Sequence, residues 1–298
     1  ATNSYRLIFG ENDGFPGLIV DVYAQVAVVQ LHSPIWIPYL EMILESLIEV
    51  TQSSCVVIRL NRHMSNLKDN PLEDGQVIYG NLENEVVVFK EHGILFSANV
   101  IKGHKTGYCL EHRENRRRVG LMSKNKIVLD VFAYAGGFSV HALVGGAKMV
   151  TSVDISKQAL AMAKENALLN RFRGKHIAIA GDAFEILENM RTKRQQFDIV
   201  VIDPPSFAKS ESGTDIALKK YRQLASLGAS LVSPNGYLVL ASCSSRVTAD
   251  QFFAEIEEAL MSSRRSFEKL EKTFHDVDHP ITFKEGAYLK CGYYKRIK

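Results

Sequence analysis

The spacing of apolar residues changes near residue 126, and the predicted structure changes with it. Before that point, YRLIF (5–9) and the runs at 18–22 and 26–31 predict extended strands. Turn chemistry at Asn12-Asp13-Gly14 and Pro16-Gly17 separates them. Leu40, Ile43, Leu44, Leu47 and Ile48 recur at helical spacing, so residues 39–50 predict a helix with one face able to cover that hairpin. Strand patterns return at VVIRL (56–60), EVVVF (85–89) and ILFSA (94–98), the last two joined through Glu91, His92 and Gly93 like a hairpin. Residues 1–99 therefore predict a small α+β domain.

After residue 126 short apolar strands alternate with amphipathic helices. Strands are predicted at 127–132, 149–155, 176–181, 197–203 and 236–243, and helices at 138–145, 157–169, 183–190 and 214–232. Val/Ile/Leu-rich strands without alternation need apolar neighbours on both faces, which predicts a mostly parallel, Rossmann-like α/β sheet within residues 100–298. A tail helix at 249–261 and strands at 267–272 and 287–295 complete it.

Composition narrows the class. With 46% hydrophobic and 23% charged residues, the chain matches ordinary globular proteins and excludes a disordered or fibrous one. The four cysteines (55, 109, 243, 291) show no zinc or iron-sulfur spacing, so no metal and a reducing compartment are expected. No run of apolar residues is long enough to span a membrane, and a cytoplasmic protein, monomer or homodimer, is the expectation. Net charge is +3, but residues 1–99 hold 5 basic and 12 acidic side chains, net −7, leaving +10 for the remainder. Arg113, Arg116, Arg117 and Arg118 lie in the densest basic stretch, which predicts either a polyanion-binding surface or a solvated helix face.

Two segments carry candidate chemistry. In LDVFAYAGGFSVHAL (129–143), a strand meets a helix through Ala135, Gly136 and Gly137, where backbone can approach a ligand closely. Asp130, Asp154 and Asp182 stand at or near three successive strand ends. Asp154 can accept hydrogen bonds from a ribose diol, and Asp182 can meet an adenine amino group. The alternative role for both is helix capping. Carboxylates around this loop suit a sulfonium-bearing cofactor better than a pyrophosphate.

The second segment is DPPSF (203–207), which follows an apolar strand, with Cys243 ending the next strand 40 residues on. Asp203 and the Pro204 carbonyl can accept from the exocyclic amine of a flipped base, and Phe207 can stack on it. A thiolate at Cys243 can attack C6 of a pyrimidine and activate C5, and a nearby lysine or arginine would raise the thiolate fraction. A buried core cysteine is the alternative.

GENDGFPGLIVD (10–21), GHKTGYCLEHRENR (103–116), the glycine loop, SVDIS (152–156), FDIVVIDPPSFAKS (197–210), SCS (242–244) and DHPITFKEGAYLK (278–290) together resemble the bacterial class I RNA cytosine-C5 methyltransferases acting on 23S rRNA. The resemblance covers most of the chain. It implies S-adenosylmethionine as cofactor, an RNA substrate, Lys105 and Thr106 closing the methionine end, Asp154 on the ribose, Asp182 on the adenine, and Cys243 as nucleophile. It also implies a preceding PUA domain, so either a fragment or a protein that dispenses with that module is expected. No second cysteine stands in the DPPS loop, so product release needs another base. An RNA guanine-nitrogen or uracil-C5 methyltransferase, an NAD-dependent enzyme and a non-catalytic RNA-binding module stay open as alternatives.

Overall fold

The computed structural model describes residues 2–208 and 210–297. They form two compact units, the first comprising residues up to Arg113 together with Asp276–Phe283, the second Glu114–His275 with the segment from Lys284 onward. The division expected at 99/100 therefore falls later, and a short C-terminal segment returns to the first unit. Polar anchors explain both changes: Thr106 Oγ1 lies 2.5 Å from Asp21 Oδ2, and Arg113 is ion-paired to Asp276 and Asp278 at 2.9 and 2.8 Å.

In the first unit β1 (Ser4–Phe9), β2 (Leu18–Tyr23), β3 (Val26–Leu31), β4 (Cys55–Leu60) and β5 (Val77–Gly80) form one sheet in that order. Only β3 and β4 are parallel, because α1 (Leu40–Thr51) crosses between them. Its predicted apolar face lies on the sheet: Leu47 is buried with Val20, Val29, Val56 and Ile58, and Leu40, Ile43, Leu44 and Ile48 pack against them. One short helical turn, α2 (Arg62–Ser65), follows β4. The predicted hairpin is β6 (Val86–Glu91) with β7 (Ile94–Asn99). His92 and Gly93 both have positive φ, 51° and 83°, as a two-residue turn matched to strand twist requires.

The second unit begins with α3 (Arg113–Met122), apart from its first residue, and continues β8 (Ile127–Val131), α4 (Gly137–Val144), β9 (Met149–Asp154), α5 (Lys157–Leu168), β10 (Lys175–Ala180), α6 (Ala183–Thr192), β11 (Phe197–Ile202), α7 (Thr214–Leu231), β12 (Val232–Ser242), α8 (Ala249–Met261), β13 (Phe267–Thr273) and β14 (Lys290–Arg296). Its seven-stranded sheet runs β10-β9-β8-β11-β12-β14-β13, with β14 antiparallel to both of its neighbours and the first five strands parallel. This is the doubly wound α/β class, with the order reversing beside β8, where such sheets bind ligands at their carboxyl edge. Among the described residues no helix is long and apolar enough to cross a membrane.

Candidate active site

The carboxyl ends of β8, β9, β10, β11 and β12 supply the site residues of this unit. After β8 the chain alternates through the left-handed region at Phe132, Tyr134 and Gly136, with φ of 63°, 47° and 78°. Two of these carry side chains, a strained arrangement that persists only when neighbours hold it. They do. Ala133 N–H donates to Val153 O at 3.0 Å, Tyr134 N–H to Asp154 Oδ2 at 2.9 Å, and Asn166 Nδ2 to Ala135 O at 2.9 Å. A Cβ on Gly136 would stand 2.7 Å from that of Ala163, so glycine is required by space as well as by φ. Gly137 is the first residue of α4.

The three expected carboxylates separate in role. Asp154 does not cap α5, since Ser156 does, accepting from Ala159 N. Its oxygens instead take the amides of Tyr134 and Ser156, tying the loop to the end of β9. Asp182 does cap α6, with Oδ1 accepting from Phe184 N and Glu185 N at 2.9 and 3.1 Å. Asp130 is buried, and its Oδ2 accepts from the amide and hydroxyl of Ser139 at 2.9 and 2.6 Å. Its Oδ1 has no hydrogen-bond partner among the described residues. Burial above all, and the charges of Asp203 and Asp154 against the opposing Ser139 bonds, push its pKa up to about 7.

An unsatisfied carboxylate oxygen on Asp130, with the acids Asp154 and Asp203 near it, fits a cofactor that carries positive charge. They fit a pyrophosphate poorly.

Asp203 follows β11, its amide donating to Val131 O at 3.3 Å. Because β11 and β12 are parallel neighbours, with Ile202 opposite Leu240, Cys243 emerges beside it. The half-buried thiol Sγ lies 3.9 Å from Asp203 Oδ1. Below them Tyr221 receives the Ser242 hydroxyl at 2.9 Å, and burial first, then the Cys243 and Asp203 charges, push its phenol up to about 12 despite that bond. Pro204 is buried. Phe207 sits among Phe132, Phe184 and Tyr221 with centroids 6.4, 6.3 and 5.3 Å away, and the Lys220 ammonium stands 4.8 Å from its ring centre. The expected stacking residue is thus already part of an aromatic cluster.

Two expectations need correction. Arg113 and Arg116, expected on an RNA surface, are 6% and 4% exposed, too buried to reach phosphates. Arg113 is spent on Asp276, Asp278 and the Ser4 carbonyl. Arg117 and Arg118 do reach solvent, paired with Glu114 and Glu271. Thr106 is fully buried with its hydroxyl shared between Asp21 and Tyr23, so its side chain holds the 103–107 turn and does not reach for a ligand. Lys105 is held 2.7 Å from Glu111 Oε1. That ion pair outweighs burial and keeps the Glu111 carboxyl well below its ordinary range.

Asn166, Tyr221 and Lys290 were not singled out by the sequence. The first two had a signal: each is a polar group inside an apolar helical stripe, Asn166 with Ala159, Leu160, Ala163 and Ala167, Tyr221 with Ala217, Leu224 and Ala225.

Residues 15–289 match the family of S-adenosylmethionine-dependent methyltransferases. A "Ribosomal RNA large subunit methyltransferase" of Deinococcus radiodurans is 43% identical over 97% of this chain and 72% of its own length. A "Ribosomal RNA large subunit methyltransferase I" of Escherichia coli is 35% identical over 97% and 73%. Among solved structures, a SAM-dependent methyltransferase from Streptococcus mutans superposes with a TM-score of 0.84 at 24% identity, covering 99% of this chain and 75% of that one. The tRNA m1G37 methyltransferase of M. jannaschii superposes at 0.63 with 18% identity over 94% and 72%, a likeness of fold.

Proposed function

The chain belongs to the S-adenosylmethionine-dependent methyltransferases and uses that cofactor, and from this premise we propose that it methylates C5 of a cytosine in ribosomal RNA through a covalent bond from Cys243. The observation that carries the proposal is the Cys243 thiol 3.9 Å from Asp203 at adjacent strand ends. A guanine-nitrogen methyltransferase needs no such thiol, whereas cytosine C5 is too weak a nucleophile to react without one.

When bound, the cofactor supplies an electrophilic methyl group on a sulfonium. The protein's residues do the rest. The loop at Ala135, Gly136 and Gly137 would admit the cofactor, with Asp154 holding its ribose, Asp182 its adenine and Asp130 balancing its positive charge. Asp203 and the Pro204 carbonyl accept from the exocyclic amine of the base, Phe207 stacks on it, and the Cys243 thiol loses its proton to solvent. The thiolate forms a bond to C6, the displaced electron pair takes the methyl group at C5, and loss of the C5 proton to a base returns the C6–S pair to sulfur. Arg117 and Arg118 contribute phosphate contacts, and the enzyme works in the cytoplasm.

The test uses ribosomal RNA lacking its own modifications. Cys243→Ala is expected to lower methyl transfer by at least ~10³-fold with cofactor affinity unchanged. RNA bearing 5-fluorocytosine is expected to leave a sulfur-linked adduct that peptide mapping places on Cys243, since fluorine cannot depart as the proton does. Transfer by Cys243→Ala near the parent rate would remove the C5 mechanism and favour guanine-nitrogen chemistry.

A further inference from the structure

Lys290 is a buried charged residue that the proposed chemistry does not use. It is the first residue of β14, opposite Ser242 of β12, and it is 1% exposed. Its Nζ donates to the carbonyl of Ser244, to Val247 O at 2.5 Å and to Tyr288 O at 3.1 Å. Three acceptors match the three N–H bonds of an ammonium. A neutral amine has two, and its lone pair would face a carbonyl, so this arrangement is built for the charged form. An unpaired ammonium is costly to bury, and a methionine would fill similar space without that cost.

Two of the three carbonyls lie in the turn that directly follows Cys243, so the ammonium pins the end of the strand that carries the thiol. Among the described residues Lys290 forms no salt bridge, and its positive charge is left uncompensated. Burial lowers its pKa to about 8, and a Cys243 thiolate pulls it back up. That attraction is mutual, because whatever holds a proton on the lysine equally favours its loss from the sulfur.

We propose that Lys290 is a positioning residue for methyl transfer, pinning the turn after Cys243 and favouring the ionised thiol by its buried charge. The inference rests on the reading of Cys243 as nucleophile. The other titratable groups facing the sulfur within this unit are Asp203, whose negative charge opposes ionisation, and Tyr221, which stays neutral. Lys290 therefore supplies what Asp203 takes away.

The experiment follows alkylation of the full chain by iodoacetamide across pH, with peptide mapping of Cys243. Lys290→Met is expected to raise the pH midpoint by about one unit, so the rate at pH 7 falls ~10-fold. Lys290→Gln offers two N–H groups to the turn without charge, and is expected to show the same shift while folding normally. Lys290→Arg is expected to recover most of the parent midpoint. In parallel, the Met and Gln variants are expected to lower kcat with little change in KM for RNA. A parent-like midpoint in the folded Gln variant would overturn the proposal, leaving Lys290 a structural pin. Failure of the nucleophile reading would look different: Cys243→Ala would stay active while alkylation of Cys243 still depended on Lys290.

Discussion

Asp130 shows what a cofactor site costs at the level of one residue. Its pKa stands near 7, chiefly from burial, with Asp203 and Asp154 adding repulsion that the Ser139 bonds only partly offset. A folded value above the unfolded one means that the stability contribution is complete below about pH 4 and is lost as pH rises through about 7. The loss is of order 4 kcal/mol at pH 8, from a shift of about three units. Asp130→Asn is therefore expected to raise the melting temperature of the cofactor-free protein at pH 8 but not at pH 5, while weakening cofactor binding. Equal effects at both pH values would show that Asp130 is not the group that titrates. For the parent, affinity for S-adenosylmethionine is expected to rise between pH 6 and 8, because the positive sulfonium favours the ionised acid, and the Asn variant is expected to lose that dependence. Asp154 acts differently, since both its oxygens already hold backbone amides. An asparagine can accept only one of the two, so Asp154→Asn is expected to weaken cofactor binding by about 1 to 3 kcal/mol. Calorimetry giving parent affinity would take Asp154 out of the site.

At the scale of elements, the loop between β8 and α4 is held against its own backbone preference. Gly136→Ala would add left-handed strain and a 2.7 Å approach to Ala163, and is expected to destabilise the fold by about 2 to 4 kcal/mol in urea unfolding. A cost below 1 kcal/mol would mean that α5 yields easily and that the glycine serves only cofactor entry. This loop was legible in the sequence because adjacent glycines after an apolar strand have few other uses. The parallel strands were legible for a similar reason: FDIVVI and IVLDV are apolar on both faces. Strand β5 was not, since Val77 and Tyr79 are largely exposed and leave no core signature. Lys290 was hidden by residue type. A lysine in sequence reads as solvent-facing, and only the three carbonyls around its Nζ show that it is inside. Asp154 and Asp182 looked equivalent, and the separate cap supplied by Ser156 is what distinguishes them.

For the whole molecule, charge was legible as a total and misleading in detail. The excess of +10 beyond residue 99 points to a polyanion partner, yet Arg113 and Arg116 lie inside the protein, and counting them as surface charge overstates the basic face. The reason is that helix α3 is amphipathic in an unusual way. Its inward positions include arginines, whose stems pack like hydrocarbons. Arg117 and Arg118 are the positions where phosphate binding can be tested without breaking the core. Both are ion-paired near the surface, to Glu114 and Glu271, and exposed pairs contribute little to stability. The double variant Arg117→Gln, Arg118→Gln is therefore expected to fold like the parent and bind cofactor equally well. Its affinity for ribosomal RNA is expected to fall, and the slope of log K against log salt to flatten by about 0.7 to 0.9 for each phosphate no longer neutralised. Anisotropy titrations between low and physiological salt measure that slope directly. If the slopes of variant and parent coincide, these two arginines are solvated partners of Glu114 and Glu271, and the RNA-facing charge must come from other exposed positions such as Lys124, Arg171 or Arg173.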